Sequence, residues 1–214
     1  MALDGTYAGL QASVADWLNR ADLTAAVPDF IAMAEAQISR RLLMDGPVRM
    51  MMGRSDATIA AEFTDVPDDF MGARTITVNG ADTASGLLQL QIATPDEIND
   101  LKAFHANQDG SPRRFAVVGT SLQFWPWNGT GVAAELTYWQ RIPALAVNSS
   151  NWLLTLHPDA YLYGALLQAA PYLKDDARVT MWGEMFETIL GDIIAADKIE
   201  RSSAQIAMPP RPTA

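Results

Sequence analysis

Apolar residues recur at helical spacing through the first forty-odd positions and again through the last third of the chain, with short or alternating apolar runs between. Tyr7, Leu10, Val14, Trp17 and Leu18 fall three and four apart behind Thr6, which is placed to cap the helix. A break at Asn19 to Asp22 precedes a second helix with Pro28 in its first turn and Phe30, Ile31, Ala34, Ile38 and Leu42 as its stripe. Asp45-Gly46-Pro47 stops it, and the two segments read as an antiparallel hairpin. From Val48 the pattern predicts strands over Val48–Met52, Thr58–Phe63, Gly72–Val78, Leu87–Ile92, Arg114–Val118, Leu122–Trp127 and Ala133–Arg141. Gly119-Thr120 and Asn128-Gly129-Thr130-Gly131 separate the last three at hairpin spacing, which predicts a meander. One helix, about 94–105, interrupts this region: Thr94-Pro95-Asp96-Glu97 is a capping box ahead of Ile98, Leu101 and Phe104.

After a polar loop from Asn148 to Asn151 the helical period returns. Pro158 opens a helix carrying Leu162, Ala165, Leu166, Ala169 and Leu173. Asp175 or Asp176 caps a longer one with Val179, Trp182, Phe186, Ile189, Leu190 and Ile193, and Asp176 to Arg201 would span roughly 39 Å. Ser202 to Ala214, with Pro209, Pro210 and Pro212, reads as an extended tail. Helices at both ends must find each other to bury their stripes. The predicted fold is therefore α+β: an antiparallel helical bundle from residues 1–47 and 148–201, an inserted β-rich lobe, a small sandwich or barrel, over 48–147, and an extended tail over 202–214.

Composition narrows the chemistry. The 214 residues carry 25 acidic against 15 basic side chains, a formal charge of −10, so the summed field repels nucleic acid and anionic membrane. With 49 % apolar and 19 % charged residues, the chain can build a core. Cysteine is absent, which removes thiolate metal sites, disulfides and cysteine nucleophiles, and His105 and His157 are the two imidazoles. The first residues lack the pattern of a signal peptide and no run approaches eighteen apolar residues, so neither export nor membrane insertion is expected.

The candidate sites are few. His157-Pro158-Asp159 matches the J-domain tripeptide, yet it opens an apolar helix, where Pro158 and Asp159 are ordinary capping residues. The adjacent carboxylates Asp68-Asp69, Asp96-Glu97 and Asp175-Asp176 fall at turn or helix starts, where they meet the positive end of the dipole. No phosphate loop, nucleophile elbow or metal-ligand spacing occurs, so no catalytic, cofactor or metal residue is assigned and the chain is not expected to be an enzyme. Trp125, Trp127 and Trp139 stand out, because strand alternation puts Trp125 and Trp127 on one face. That face suits a subunit or tail interface. The alternative is a carbohydrate-binding or glycan-depolymerising tail component using the same aromatic face.

Several stretches together resemble a family. Ala15-Asp16-Trp17-Leu18-Asn19-Arg20-Ala21-Asp22-Leu23, with Val27-Pro28-Asp29-Phe30-Ile31-Ala32-Met33-Ala34-Glu35-Ala36, resembles the opening of head-to-tail adaptor proteins of tailed bacteriophages, relatives of the tail tubular protein A group of short-tailed phages. Val66-Pro67-Asp68-Asp69-Phe70 agrees, as does Leu136-Thr137-Tyr138-Trp139 followed by Ile142-Pro143-Ala144-Leu145. So do Asn151-Trp152-Leu153-Leu154, His157-Pro158-Asp159-Ala160-Tyr161-Leu162-Tyr163-Gly164-Ala165-Leu166 and Ala170-Pro171-Tyr172-Leu173-Lys174-Asp175-Asp176. The resemblance implies a virion structural protein of the neck, made in the host cytoplasm, with no catalytic residues. It implies a ring, a dodecamer of about twelve copies, under the portal protein, with a tail or nozzle protein below and genome DNA passing through without specific binding. Twelve copies would carry roughly −120 before screening, a sign that lets DNA slide. The tail is expected to dock on the portal through Ile206, Met208, Pro209, Pro210, Arg211 and Pro212, ordering as an extended segment.

Overall fold

A computed structural model of the chain describes residues 4–79, 86–105, 110–173 and 177–206. Its helices are α1 (Tyr7–Leu18), α2 (Val27–Asp45), α3 (Pro95–Phe104), α4 (Trp152–Leu156), α5 (Pro158–Gln168) and α6 (Arg178–Ile206). Its strands are β1 (Met52–Ile59), β2 (Phe63–Asp65), β3 (Phe70–Asn79), β4 (Leu87–Gln89), β5 (Gln91–Ile92), β6 (Arg114–Val118), β7 (Ser121–Trp125) and β8 (Val132–Gln140). The class is α+β, and the chain divides into two compact units, Met1–Met51 with Ile142–Ala214, and Met52–Arg141.

In the helical unit local chemistry sets the ends. The Thr6 hydroxyl accepts the Gly9 N–H at 3.0 Å to start α1, and Asn19, at φ 51°, ends it by bonding back to the Ala15 carbonyl. Pro28 sits in the first turn of α2, where its missing N–H costs nothing. The Asn151 carboxamide caps α4 through the Leu154 N–H at 2.8 Å. Helix α5 is buried over most of its circumference, with Ala160, Tyr161, Leu162, Gly164, Ala165 and Leu166 all removed from solvent and Asp159, Tyr163 and Leu167 half-buried on the remaining side. It packs against α1, α2, α4 and α6. A close approach lies at Gly164, where a Cβ would be 3.0 Å from the Phe186 ring of α6 and 3.2 Å from the Ala34 Cβ of α2.

The β unit holds two four-stranded sheets. The first runs β1-β8-β3-β4, antiparallel throughout; the second runs β2-β7-β6-β5, with β5 and β6 parallel. Both contribute to one apolar cluster: Ile59, Ile76, Leu136 and Tyr138 from the first, Phe115, Leu122 and Phe124 from the second. The capping box of α3 is complete, with the Thr94 hydroxyl accepting the Glu97 N–H and the Glu97 carboxylate accepting the Thr94 N–H at 2.7 Å.

The structure corrects several expectations. Residues 49–51 form a 3-10 turn rather than the strand expected over Val48–Met52, because the Arg49 N–H is taken by Asp197 of α6 at 2.7 Å and the Met51 N–H bonds back to Val48. The run Thr58–Phe63 spans the end of β1 and the first residue of β2. The run Leu87–Ile92 is not one strand: buried Leu90 divides it, and β4 and β5 join different sheets. No meander forms. β6 and β7 make a hairpin through Gly119, at φ 61°, but β8 pairs with β1 and β3 in the other sheet. Pro126 lacks the amide needed to carry the β7 ladder onward, and an Asn128 carboxamide turn to the Thr130 N–H redirects the chain.

Residues 152–156 add a short helix that the pattern did not separate. Trp17 is 44 % exposed, edge-on to Tyr163, and Phe104 is 83 % exposed, so neither completes its predicted stripe. Helix α6 runs to Ile206, so residues 202–206 are helical rather than extended; Ser202 bonds back to the Ile199 carbonyl, and the first proline comes only at 209. The proposed caps Asp175 and Asp176 lie outside the described residues.

The contact at Gly164 makes a specific expectation. G164L should lower stability by about 1–3 kcal/mol, because the side chain must displace packed neighbours. G164A should stay near neutral, since a helix gains roughly 1 kcal/mol on replacing glycine with alanine and that offsets mild crowding. Urea denaturation of the three proteins checks this; a G164L midpoint equal to that of the parent would contradict the close packing.

Candidate interaction surfaces

Among the described residues the paired carboxylates form no common cluster. Asp69 accepts the Tyr138 hydroxyl at 2.9 Å and its carbonyl accepts the Arg141 N–H at 2.7 Å, which fixes the start of β3 against the end of β8. Burial first, then this hydrogen bond, pushes the Tyr138 hydroxyl up to about 12. Glu97 is used up in its capping box, which holds its carboxyl below the usual range. Glu62 is drawn upward by burial, but hydrogen bonds from Lys102 and Gln123 outweigh this and leave it lowered. A hollow of about 820 Å³ on the first sheet is lined by Asp56, Thr58, Thr77, Asn79, Leu87 and Glu135. Arg54 lies 3.1 Å from Asp56 and 2.8 Å from Glu135, so both acids there are paired. His105 and His157 belong to different units. Among the described residues no group of histidine and acidic side chains could hold a metal ion.

The tryptophans are dispersed. Trp125 closes β7 in the second sheet, its ring 5.9 Å from that of His105 at the end of α3. Trp127 lies beyond Pro126, off the strand, and packs partly on the apolar cluster, so strand alternation does not place it beside Trp125. Trp139 is on β8 in the first sheet, on the face opposite Leu136 and Tyr138. There the Arg74 guanidinium stands 5.5 Å from its ring and donates to the Met52 sulfur at 2.7 Å, and Met52 is the cross-strand neighbour of Trp139. Trp139, Arg74 and Met52 thus make a half-exposed patch suited to cation–π and sulfur contacts. Ile206 is the last residue of α6; Met208, Pro209, Pro210, Arg211 and Pro212 lie outside the described residues.

One polar cluster escaped the sequence reading. The Glu35 carboxylate, on α2, accepts the Leu145 N–H at 2.9 Å and the Tyr161 hydroxyl at 3.1 Å. The Asn151 carboxamide donates to the Tyr161 hydroxyl at 2.7 Å and to the Pro143 carbonyl at 2.8 Å. Asn151 was legible as a residue before a helix; Glu35 was hidden at the margin of an apolar stripe. Burial pushes the Glu35 carboxyl above its ordinary value, against the two hydrogen bonds it accepts. Burial, then the Glu35 charge, raise the Tyr161 hydroxyl as well. Every polar group in the cluster faces another, and its role is to hold the segment from Pro143 to Asn151 against α2 and α5.

A family model described as SU10 adaptor protein matches residues 5–209. No curated protein matches the chain.

Glu35 makes a pH-dependent prediction. A carboxyl raised in the folded state binds its proton more tightly there than in the unfolded chain. Its contribution to stability is therefore complete below the unfolded value and is lost as pH rises through the folded one. E35Q keeps an acceptor for Leu145 and Tyr161 and should flatten the fall in stability above the ordinary glutamate range. E35A leaves both donors without an acceptor and should cost about 1–3 kcal/mol for each. Denaturation across pH 4 to 8, a window of roughly the carboxylate range and above, measures both; parallel profiles for E35Q and the parent would reject the assignment.

Proposed function

The chain belongs to the SU10 adaptor protein family, a bacteriophage adaptor and structural component of the virion, and from that premise we propose that it is a head-to-tail adaptor of the tail tubular protein A kind. About twelve copies form a ring under the portal protein, extend the DNA channel and present a surface to the tail or nozzle protein. The observation that carries this reading is one adaptor family matched across residues 5–209. Two physical features support it. Helix α6, at 29 residues, is about 43 Å long and gives a subunit a rigid element that outlasts its own packing needs. The charge of −10 per copy makes genome DNA a poor ligand for the ring wall, as passage through it requires. Among the described residues no helix is long and apolar enough to cross a membrane.

The Trp139 patch is the tail-side or neighbour-side contact in this reading, and Trp125 and Trp127 brace the unit that presents it. The C-terminal segment engages the portal through Ile206, Met208, Pro209, Pro210, Arg211 and Pro212. The glycan-binding alternative draws less support, because Trp127 packs on the core and does not extend an aromatic platform from Trp125.

Mass measurement and negative-stain microscopy of the purified chain, alone and mixed with the portal encoded in the same genome, test the reading. A ring on the portal is expected, and a chain that ignores the portal and stays monomeric overturns it. Truncation after Ile206 should weaken portal association while leaving helix content unchanged by circular dichroism; undiminished association would remove the segment from the interface.

A further inference from the structure

Helix α2 buries Val27, Phe30, Ile31, Ala34, Ile38 and Leu42 on one side, yet the opposite side, which carries Asp29 in its first turn, Gln37 and Arg40, is otherwise apolar. Met33, Ala36 and Met44 face outward there, Met44 at 82 % exposure, and Arg40 is the basic residue among them. Helix α6 repeats the arrangement. Its inward stripe runs through Trp182, Phe186, Leu190 and Ile193. A second, exposed series runs through Met181, Met185, Thr188, Asp192, Ala195 and Ile199, spaced by four and three in alternation, and Asp192 is its one charge. That spacing is the heptad seam of a helix that packs along another. It covers roughly 27 Å, about the length of α2. A helix apolar on both sides is normally covered on both sides.

The two faces match. Seven residues before the charge each carries methionine, Met33 and Met185, and four before it a small side chain, Ala36 and Thr188. The charges are opposite, and neither Arg40 nor Asp192 makes an ion pair among the described residues. Adjacent Arg41, by contrast, is consumed within the unit by Asp45 and by Glu187 at 3.0 Å. The faces of one copy cannot meet each other, because α2 and α6 already pack together through their other sides. They can meet on successive copies, and one surface against a different surface is the contact that generates a ring.

We infer that the outward face of α6 on one copy packs against the outward face of α2 on the next, with Asp192 paired to Arg40 at the centre. This deepens the ring reading and rests on it. The methionines supply apolar area that adapts to its partner, and the central charge pair fixes register, as a single polar position does in a coiled coil. A wrong register leaves one charge buried against thioether, which disfavours it.

Charge reversal tests the contact. R40D and D192R, each alone, should self-associate at least about tenfold more weakly than the parent in sedimentation velocity, alone or on the portal. An equimolar mixture of the two should assemble as the parent does, because alternating copies restore an opposite-sign pair at every contact. Recovery on mixing is an outcome that mere misfolding of either variant would not produce. A variant that assembles like the parent, or a mixture no stronger than its parts, overturns the interface while leaving the ring. A parent chain that assembles neither alone nor on the portal overturns the ring reading and the interface with it. Because the chain has no cysteine, R40C mixed with D192C gives a second readout: a disulfide between the two chains is expected, and its absence in an assembled sample counts against the contact.

Discussion

Burial of α5 over most of its circumference is the constraint from which the helical unit follows. A helix packed against four others leaves little room for side chains at its crossings, so α2 and α6 approach it over Gly164, against Ala34 and Phe186. Tyr161 brings a hydroxyl into the same enclosure, and a buried hydroxyl without partners would cost more than its ring gains. Glu35 and Asn151 answer that need. Through them Leu145 and Pro143 are tied down, so the chain that leaves β8 is fixed on its return by the interior of α5. Downstream, Asp197 of α6 takes the Arg49 N–H, and Arg201 donates to the Pro47 carbonyl at 3.2 Å. The segments Pro47–Arg49 and Pro143–Leu145 are thus held within the helical unit by polar contacts.

What the sequence made legible was chiefly what is local. Thr6, Pro28, Thr94 and Pro158 announce helix starts because a cap or a first-turn proline acts within four residues. The apolar stripes of α2 and α6 followed from periodicity alone. Partner choice among strands was not local. The run Leu87–Ile92 reads as one strand, yet Leu90 turns it between two sheets, and β8 passes over β7 to join β1 and β3. Turn residues at hairpin spacing state that the chain reverses; they do not state which sheet it reverses into. The tryptophans misled for a related reason, since alternation holds only while the strand continues and Pro126 ends it after Trp125.

Off-stripe apolar residues carried a signal that periodicity discards. Met33 and Met44 on α2 and Met181 and Met185 on α6 contribute little to the inward stripes, and a pattern search treats them as noise. Their meaning emerges once the inward faces are assigned, because what is left over forms faces of its own. Glu35 is the complementary case. As a carboxylate at the margin of an apolar stripe it looks like a solvated residue, and only the fold shows it facing Tyr161.

Net charge sets the terms on which such surplus faces act. Copies at −10 repel one another, and screening confines that repulsion to about 8 Å at physiological ionic strength, so neighbours feel it and distant copies barely do. Attraction between copies must then be short-ranged and built into the contact. Apolar burial meets the first condition, and an opposite-sign pair inside the contact meets the second, because a shifted register leaves each of its charges against an apolar side chain. An acidic chain that leaves Arg40 without an ion pair among the described residues, while using Arg41 beside it internally, has placed a positive charge where a neighbour can supply its counterion.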